Sequence, residues 1–388
     1  AALGISREEG LLQLSSRVGR GYGLFFTCLL YLTIGPFFAI PRCATVSFTV
    51  GIQRLVPAEW QGATLAVFSL AFFAAVLFFS LRPGQILTWI GKLLNPLFLC
   101  FLAVLVIRAL TAPLGQASAV EPAGNYTSAA FSTGLLEGYN TMDALAGLAF
   151  GIIVVRAIRN LGVQEPGQVA RNTVVAGLLS SVLMAAIYLL VTLVGAQSRG
   201  QFAAATNGGE ALAQIAAYYF GGAGAFILAV TVTVACLKTA VGLITSCGET
   251  FVDIFPSGPS YRVWAVAFCA LSFLLANLGL DAILAYSLPV LMFLYPLAIV
   301  LILLTLFGRF FGNDRCVLRW TIGFTAVAAV MDLLRTLPDA ARAALHLQPL
   351  VDGVAAWLPL YAQGFGWVCP ALIGLVIGLV VRRLRHAA

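Results

Sequence analysis

Apolar residues run through this chain in blocks of about 20, long enough to cross about 30 Å of hydrocarbon, and Gly or Pro separates most of them. The blocks fall at 21–52, 62–81, 84–108, 137–156, 169–196, 220–246, 260–279, 282–307, 317–336 and 355–381. The pattern predicts an all-α polytopic membrane protein with about ten transmembrane helices. The most informative block, LTIGPFFAIPRCATVSFTVG (32–51), interrupts its own periodicity. Pro36 and Pro41 free backbone carbonyls, and Arg42 stands among apolar residues. A guanidinium there costs about 2.5 kcal/mol or more in lipid. The block predicts a broken helix lining a polar path, because an ordinary anchor has no use for either feature.

Composition sharpens this picture. The chain of 388 residues is 61% hydrophobic and 10% charged, against about 25% charged in soluble domains. A net charge of +7 does not point to nucleic acid, because the basic residues punctuate the apolar blocks and form no groove-binding patch. The expected surroundings are the lipid bilayer. With the N-terminus inside, fifteen Lys and Arg fall on the inner side, five (Arg54, Arg108, Arg199, Arg335 and Arg342) on the outer side, and Arg42 and Lys238 within the membrane. That bias places both termini in the cytoplasm. Lys92 and Arg108 lie near the ends of one block and are expected to snorkel. The eight cysteines are scattered without a CxxC pair or metal-ligand spacing, and read as small packing residues. His346 and His386 both lie outside the blocks. A membrane-embedded enzyme, which needs a nucleophile–base pair or a metal set at depth, finds no histidine there, and no cofactor is implied.

Three intramembrane charges carry the candidate chemistry. Asp143 lies in EGYNTMDALAGLAFG (137–151), where Tyr139, Asn140, Thr141, Gly138, Gly147 and Gly151 make a weak, polar helix opening. This composition fits a discontinuous transporter helix; the plainer reading is a helix N-terminus with Asp143 at the positive dipole end. Lys238 lies in TVTVACLKTAVGLITSCGE (231–249), where Ala235, Thr239, Gly242 and Ser246 share one smooth face. Taken alone, that stripe reads as close helix packing; its hydroxyls also suit a small hard cation. A mid-span ammonium needs a carboxylate, carbonyls or water, and Asp143 is the obvious partner. Asp281, Asp332 and Glu249 fall near block ends and read as interfacial. Trp60, Trp89, Trp320, Trp357 and Trp367 also fall near the ends, where an aromatic belt would sit.

Four segments, YLTIGPFFAIPRCATVSFTVGI (31–52), AAFSTGLLEGYNTMDALAGLAFGIIVV (129–155), NGGEAL (207–212) and ACLKTAVGLI (235–244), resemble the bacterial branched-chain amino acid:cation symporters. The resemblance covers essentially the whole chain. It implies a multi-pass carrier of the bacterial inner membrane that takes up Leu, Ile and Val with Na⁺ or H⁺. It also implies a LeuT-like fold of two inverted five-helix repeats and two accessory helices, twelve in all. On that plan 1–20 is a cytoplasmic segment, 21–108 holds the remaining three helices of the first repeat, and 109–136 is an extracytoplasmic loop. The second repeat then covers 137–307, and the accessory helices cover 317–381. Only three blocks precede 137, where the plan needs five, so the first two helices of the family are expected to be absent from this chain, as in a truncated fragment.

The same resemblance implies a substrate held between the segments 21–52, 137–156 and 220–246. Phe38 and Phe150, with Gly147 nearby, would wall an apolar pocket; Tyr139, Asp143 and freed backbone groups would serve the zwitterion. Arg42 would pair with Asp143 or with freed carbonyls and hold the broken helix. Thr239 and Ser246 would be ion ligands, with Thr239 the metal ligand for Na⁺, and Lys238 a coupling or structural charge. Within the same class, the rival is a carrier of similar fold for other neutral amino acids.

Overall fold

The computed structural model describes residues 10–82, 85–163 and 165–387. Side chains at 85–95, 152, 156, 386 and 387 lie outside that description, and with them the expected snorkelling of Lys92, the sidedness marker Arg156 and the belt position of Trp89. Residues 1–9, Arg7 among them, lie outside it too.

Every regular element among the described residues is helical. In chain order the α-helices are α1 (Leu11–Ser16), α2 (Arg20–Leu32), α3 (Ala39–Gly51), α4 (Gln61–Leu81) and α5 (Gln85–Thr111). Then come α6 (Tyr126–Glu137), α7 (Asp143–Asn160), α8 (Pro166–Ser198), α9 (Gly208–Ile254) and α10 (Tyr261–Ala276). The last five are α11 (Leu280–Leu306), α12 (Arg315–Thr336), α13 (Asp339–Ala344), α14 (Gln348–Trp357) and α15 (Val368–Ala387).

Among the described residues six helical stretches are long and apolar enough to cross a membrane: Arg20–Gly51, Ala58–Leu81, Pro166–Ser198, Gly208–Ile254, Leu280–Leu306 and Arg315–Thr336. Tyr261–Ala276 is apolar but shorter, and α5, 27 residues long, is described with its side chains only over Pro96–Thr111. Three of the ten expected blocks therefore differ from a simple span. Block 137–156 coincides with α7, whose Asp143, Arg156 and Arg159 are too many charges for a plain span. Block 355–381 is not one helix, because residues 358–367 turn and α15 begins only at Val368. The expected loop 109–136 also changes character, since it contains α6.

The helices divide into two compact units, one of Ala1–Tyr31, Ala123–Ser181 and Ala285–Ala388, the other of Leu32–Pro122 and Val182–Leu284. In the second unit α3 runs antiparallel along α9. A Cβ on Gly35, just before α3, would lie 2.7 Å from Cys247 Sγ, and one on Gly51 would lie 3.4 Å from the Ala229 Cβ. Leu105, Val106, Ala109, Val194, Ile215, Ala216, Leu228 and Val232 pack with Val50 in the core of this unit. The start of α9 follows from NGGE: Asn207 Oδ1 accepts the Glu210 N–H (3.0 Å), and the Glu210 carboxylate accepts the Thr206 N–H (3.1 Å) and hydroxyl (2.9 Å). These bonds satisfy donors that a helix start leaves open. Gly221 then breaks the helix at φ 62°, ψ −155°, a conformation essentially confined to glycine. That is why the apolar block begins near 220 although the helix begins at Gly208.

In the first unit the N-terminal segment is packed, not merely amphipathic. Leu11, Leu14, Ser15 and Val18 are buried, and Ser15 Oγ lies 3.2 Å from Thr27 Oγ1 on α2. Burying each leucine contributes about 1.5–3 kcal/mol. Arg319 Nε on α12 donates to Val18 O at 2.9 Å. Along α15, Gly374 and Gly378 let the helix approach α12 so closely that a Cβ at either would lie 2.7–2.8 Å from backbone atoms of Trp320 or Val317.

Candidate functional site

The expected break in the first long helix is present. Between α2 and α3 the chain makes one wide π-type turn, Thr33–Phe37, with Gly35 at φ −98°, ψ −124° and Phe38 at φ −132°, ψ −56°, both non-helical. The two prolines explain where the helix stops and restarts. Pro36 cannot donate to a carbonyl behind it, and Pro41 sits in the first turn of α3, where its missing N–H would have had no helical partner. Two of the carbonyls at the break are met within the unit: Ser272 Oγ donates to Pro36 O (3.3 Å) and the Arg42 N–H to Phe38 O (3.0 Å). Thr33 Oγ1 is buried and has no hydrogen-bond partner among the described residues. Sequence reasoning missed Thr33; a hydroxyl directly ahead of a Gly-Pro break was the available signal. Phe38 and Arg42 are half-buried and one turn apart.

Midway between the Gly35–Cys247 and Gly51–Ala229 approaches, the antiparallel register sets Arg42 at the level of residues 238–239. The Cys43 and Cys236 thiols interact at that level. The stripe on α9 is not a close helix contact: Thr239 and Gly242 are exposed, Ala235 and Ser246 are half-buried, and a Cβ on Gly242 would meet nothing within 4 Å. The packed face is formed by Ala240, Val241, Leu243, Ile244 and Cys247. Thr239 Oγ1 donates to Ala235 O (2.9 Å), which leaves its lone pairs turned outward. Lys238 is half-buried. Thr239 and Ser246 are seven residues apart on continuous helix, about 10.5 Å along the axis, so one ion cannot touch both.

In the other unit a second break precedes Asp143. α6 ends at Glu137, residues Gly138–Thr141 form a 3₁₀ turn, and Met142 takes the left-handed conformation at φ 60°. Asp143 is the first residue of α7, so the discontinuous helix and the helix N-terminus are two descriptions of one feature. Met142 gives no side-chain cap. The Asp143 N–H instead approaches Thr141 Oγ1 at 3.4 Å, and the Tyr295 hydroxyl of α11 lies within electrostatic reach of Asp143. The Tyr295 ring stacks on Tyr139 at 4.0 Å and 4°. On the far side of the α7 start, Tyr31 OH donates to Ala149 O (3.1 Å). Asp143, Gly147 and Phe150 share one open helix face, with Gly147 exposed and the other two half-buried; Leu145, Leu148 and Ala149 form the packed face.

Asp332 and Trp367 depart from their expected interfacial positions. Asp332 is 1% exposed and Trp367 8%, because the turning segment 358–367 covers this end of α12. Among the described residues no three His, Cys, Asp or Glu side chains converge as a metal site, and none of the eight cysteines forms a disulfide.

Comparison with known proteins places the sequence among relatives. A family model described as branched-chain amino acid transport protein matches residues 1–385. The branched-chain amino acid permease BrnQ of Lactobacillus delbrueckii subsp. lactis is 53% identical over 374 residues, which cover 96% of this chain and 83% of the permease. BrnQ of Bacillus subtilis (strain 168) is 37% identical over 98% of this chain and 84% of its own length. The branched-chain amino acid transport system 2 carrier protein of Pseudomonas aeruginosa is 40% identical over 97% and 83%. These matches do not support the expectation that the family's first two helices are absent. The chain belongs to the branched-chain amino acid transport protein family.

Proposed function

We propose that this protein is a secondary transporter that imports Leu, Ile and Val across the bacterial inner membrane by symport with Na⁺ or H⁺, through alternating access, with both termini cytoplasmic. The supporting observation is the break at Thr33–Phe38 in a helix otherwise apolar enough to span the bilayer. Non-helical backbone at membrane depth is tolerated only where it is buried in protein or lines a cavity, and in transporters such breaks hold substrate and ions. The second break, at 138–142, gives the same kind of feature in the other unit. A LeuT-like arrangement of twelve helices is the plan into which these breaks fit.

In this reading Phe38 and Phe150 offer apolar surface to the branched side chain, with Gly147 leaving room beside it. Burial of that side chain contributes about 1.5–3 kcal/mol, and one methylene changes the balance by only about 1–3 kcal/mol, so Leu, Ile and Val are accepted together. Asp143 serves the substrate ammonium, and Tyr139 supports the break from which Asp143 projects. Thr239, with its lone pairs turned outward, is the ligand offered to Na⁺; Ser246 acts two turns away, outside the same coordination shell. Lys238 is a fixed charge beside Thr239, and Arg42 holds the break. The chemistry is binding and release, without a reaction.

The test is uptake of radiolabelled leucine by purified protein in proteoliposomes under an imposed Na⁺ or proton gradient. Gradient-driven accumulation that unlabelled Ile and Val suppress is expected. Absence of accumulation and of counterflow with every gradient would overturn the reading, and suppression by aromatic or small amino acids alone would redirect it to another substrate class.

A further inference from the structure

The most unusual charge in the first unit is one the transport reading does not use. Asp332 lies in the last turns of α12, 1% exposed, and neither carboxylate oxygen has a hydrogen-bond partner among the described residues. An unpaired carboxylate withdrawn from water is costly, and the nearby negative end of the α12 dipole raises that cost. Two more buried polar atoms nearby lack a formed hydrogen bond: the Tyr139 hydroxyl, within electrostatic reach of Asp332, and Trp367 Nε1, which approaches that hydroxyl too loosely to bond it.

The charged and titratable groups around Asp332 can be named element by element. On its own helix Arg335 is one turn on; its Nη1 donates to Ala362 O (3.0 Å) and its guanidinium lies 5.1 Å from the Tyr361 ring centroid. From the segment 358–367 comes Tyr361, whose hydroxyl donates to Met331 O (2.9 Å). The 3₁₀ turn contributes Tyr139, and α11 contributes Tyr295 stacked behind it. On α14 the titratable group is Asp352, which is exposed, and α15 brings only the half-buried Cys369 near this end.

The geometry points to a proton-binding site at Asp332, whose occupancy sets the conformation of the helix break at 138–142 through Tyr139 and Tyr295. A proton fits where a metal cation does not. Besides the carboxylate the cluster offers two hydroxyls, that of Tyr139 and that of Tyr361, the latter already donating to Met331 O, while Trp367 Nε1–H and Arg335 present positive ends. The proton comes from water, forms an O–H bond at one Asp332 oxygen, and returns to water on release. When it leaves, Tyr139 and Trp367 turn their donors to the bare carboxylate. Because Tyr139 stacks on Tyr295, and the Tyr295 hydroxyl lies within electrostatic reach of Asp143 at the start of α7, that movement reaches the substrate-binding break. The link to leucine rests on the transport reading; the proton site itself does not.

Two measurements on the purified full chain test this. Infrared difference spectroscopy from about pH 4 to pH 9 should show a carboxylic-acid carbonyl band that titrates in the wild type and is missing in Asp332→Asn. In Tyr139→Phe, which keeps the ring stack, the band should titrate at higher pH, with about tenfold tighter proton binding, since one donor to the charged form is gone. The wild-type leucine Kd should change about fivefold or more across this range, and Asp332→Asn should abolish the change. A titrating band that survives Asp332→Asn overturns the site, as does a leucine Kd whose pH dependence is the same in Asp332→Asn and wild type. If Asp332→Asn does not fold, an unshifted band in Tyr139→Phe overturns it. A band lost in Asp332→Asn, in a protein that binds no leucine at any pH, upholds the proton site and sinks the transport reading instead.

Discussion

Gly35 is where packing bears hardest on the break, and replacing it by Ala tests that packing. The new methyl would lie 2.7 Å from the sulfur of Cys247. Cys247 is fully buried on the packed face of α9, so it cannot swing into solvent, and overpacking of this kind costs about 1–3 kcal/mol. That is a sizeable share of the roughly 5–15 kcal/mol by which a folded protein is held. Removing the sulfur with Cys247→Ala relieves the clash. On its own Cys247→Ala leaves a small void and costs about 1 kcal/mol.

The assay is thermal unfolding of detergent-solubilised protein followed by tryptophan fluorescence, run beside leucine uptake in proteoliposomes. Gly35→Ala should unfold several degrees lower and lose most uptake. The double variant should be about 1–3 kcal/mol more stable than the sum of the single effects, with uptake recovered in step. Strictly additive shifts would refute the clash with Cys247. Wild-type stability and uptake in Gly35→Ala would refute the claim that this break needs a glycine.

Other positions give narrower tests. Gly221→Ala should destabilise the protein by about 1–3 kcal/mol, visible as a lower Tm, since its φ of 62° and ψ of −155° force Ala into a region that is almost glycine's alone. Thr239→Ala should shift the Na⁺ activation curve of leucine uptake to higher concentration, and an unaltered curve rejects Thr239 as a ligand. Asp143→Asn should abolish leucine uptake or uncouple it from the ion gradient; unchanged uptake with the same ion dependence removes Asp143 from the site.

Much of the site could be read in the sequence because its signals are local. Pro36, Pro41 and Gly35 stand within seven residues of each other, and steric limits on proline and glycine act on the residues beside them, so the break at Thr33–Phe38 was legible without a partner. The polar start of α7 at Asp143 was legible for the same reason. The stripe at Ala235, Thr239, Gly242 and Ser246 was seen as a face, but whether a face packs or stays open depends on a helix distant in sequence. In the structure Ala240, Val241, Ile244 and Cys247 are buried, while Thr239 and Gly242 of that stripe stay exposed. Block bounds shifted for a related reason. Averaged hydropathy passes over a break such as the one at Gly221, and it credits 355–381 as one helix although Leu358–Trp367 turns.

The misreadings of 355–381 and of Asp332 share a physical origin. Read as a continuous helix, Leu358–Trp367 would leave the end of α12 at an interface, with Asp332 and Trp367 both close to water. As a turning segment it folds back instead: Tyr361 OH bonds Met331 O (2.9 Å) and Ala362 O takes a bond from Arg335 (3.0 Å). At Gly364, with φ 80°, a Cβ would lie 2.5 Å from Leu136 Cδ1, so only a residue without one can pass there. Gly364, the Ala362 carbonyl and the Tyr361 and Trp367 side chains, all from one short segment, fold over the end of α12 where Asp332 is buried. Hydropathy places a residue along the membrane normal, but burial depends on what crosses above it. The carboxylate that composition left at the interface is therefore the one most completely withdrawn from water, and it lies one tyrosine stack from the helix break that carries Asp143.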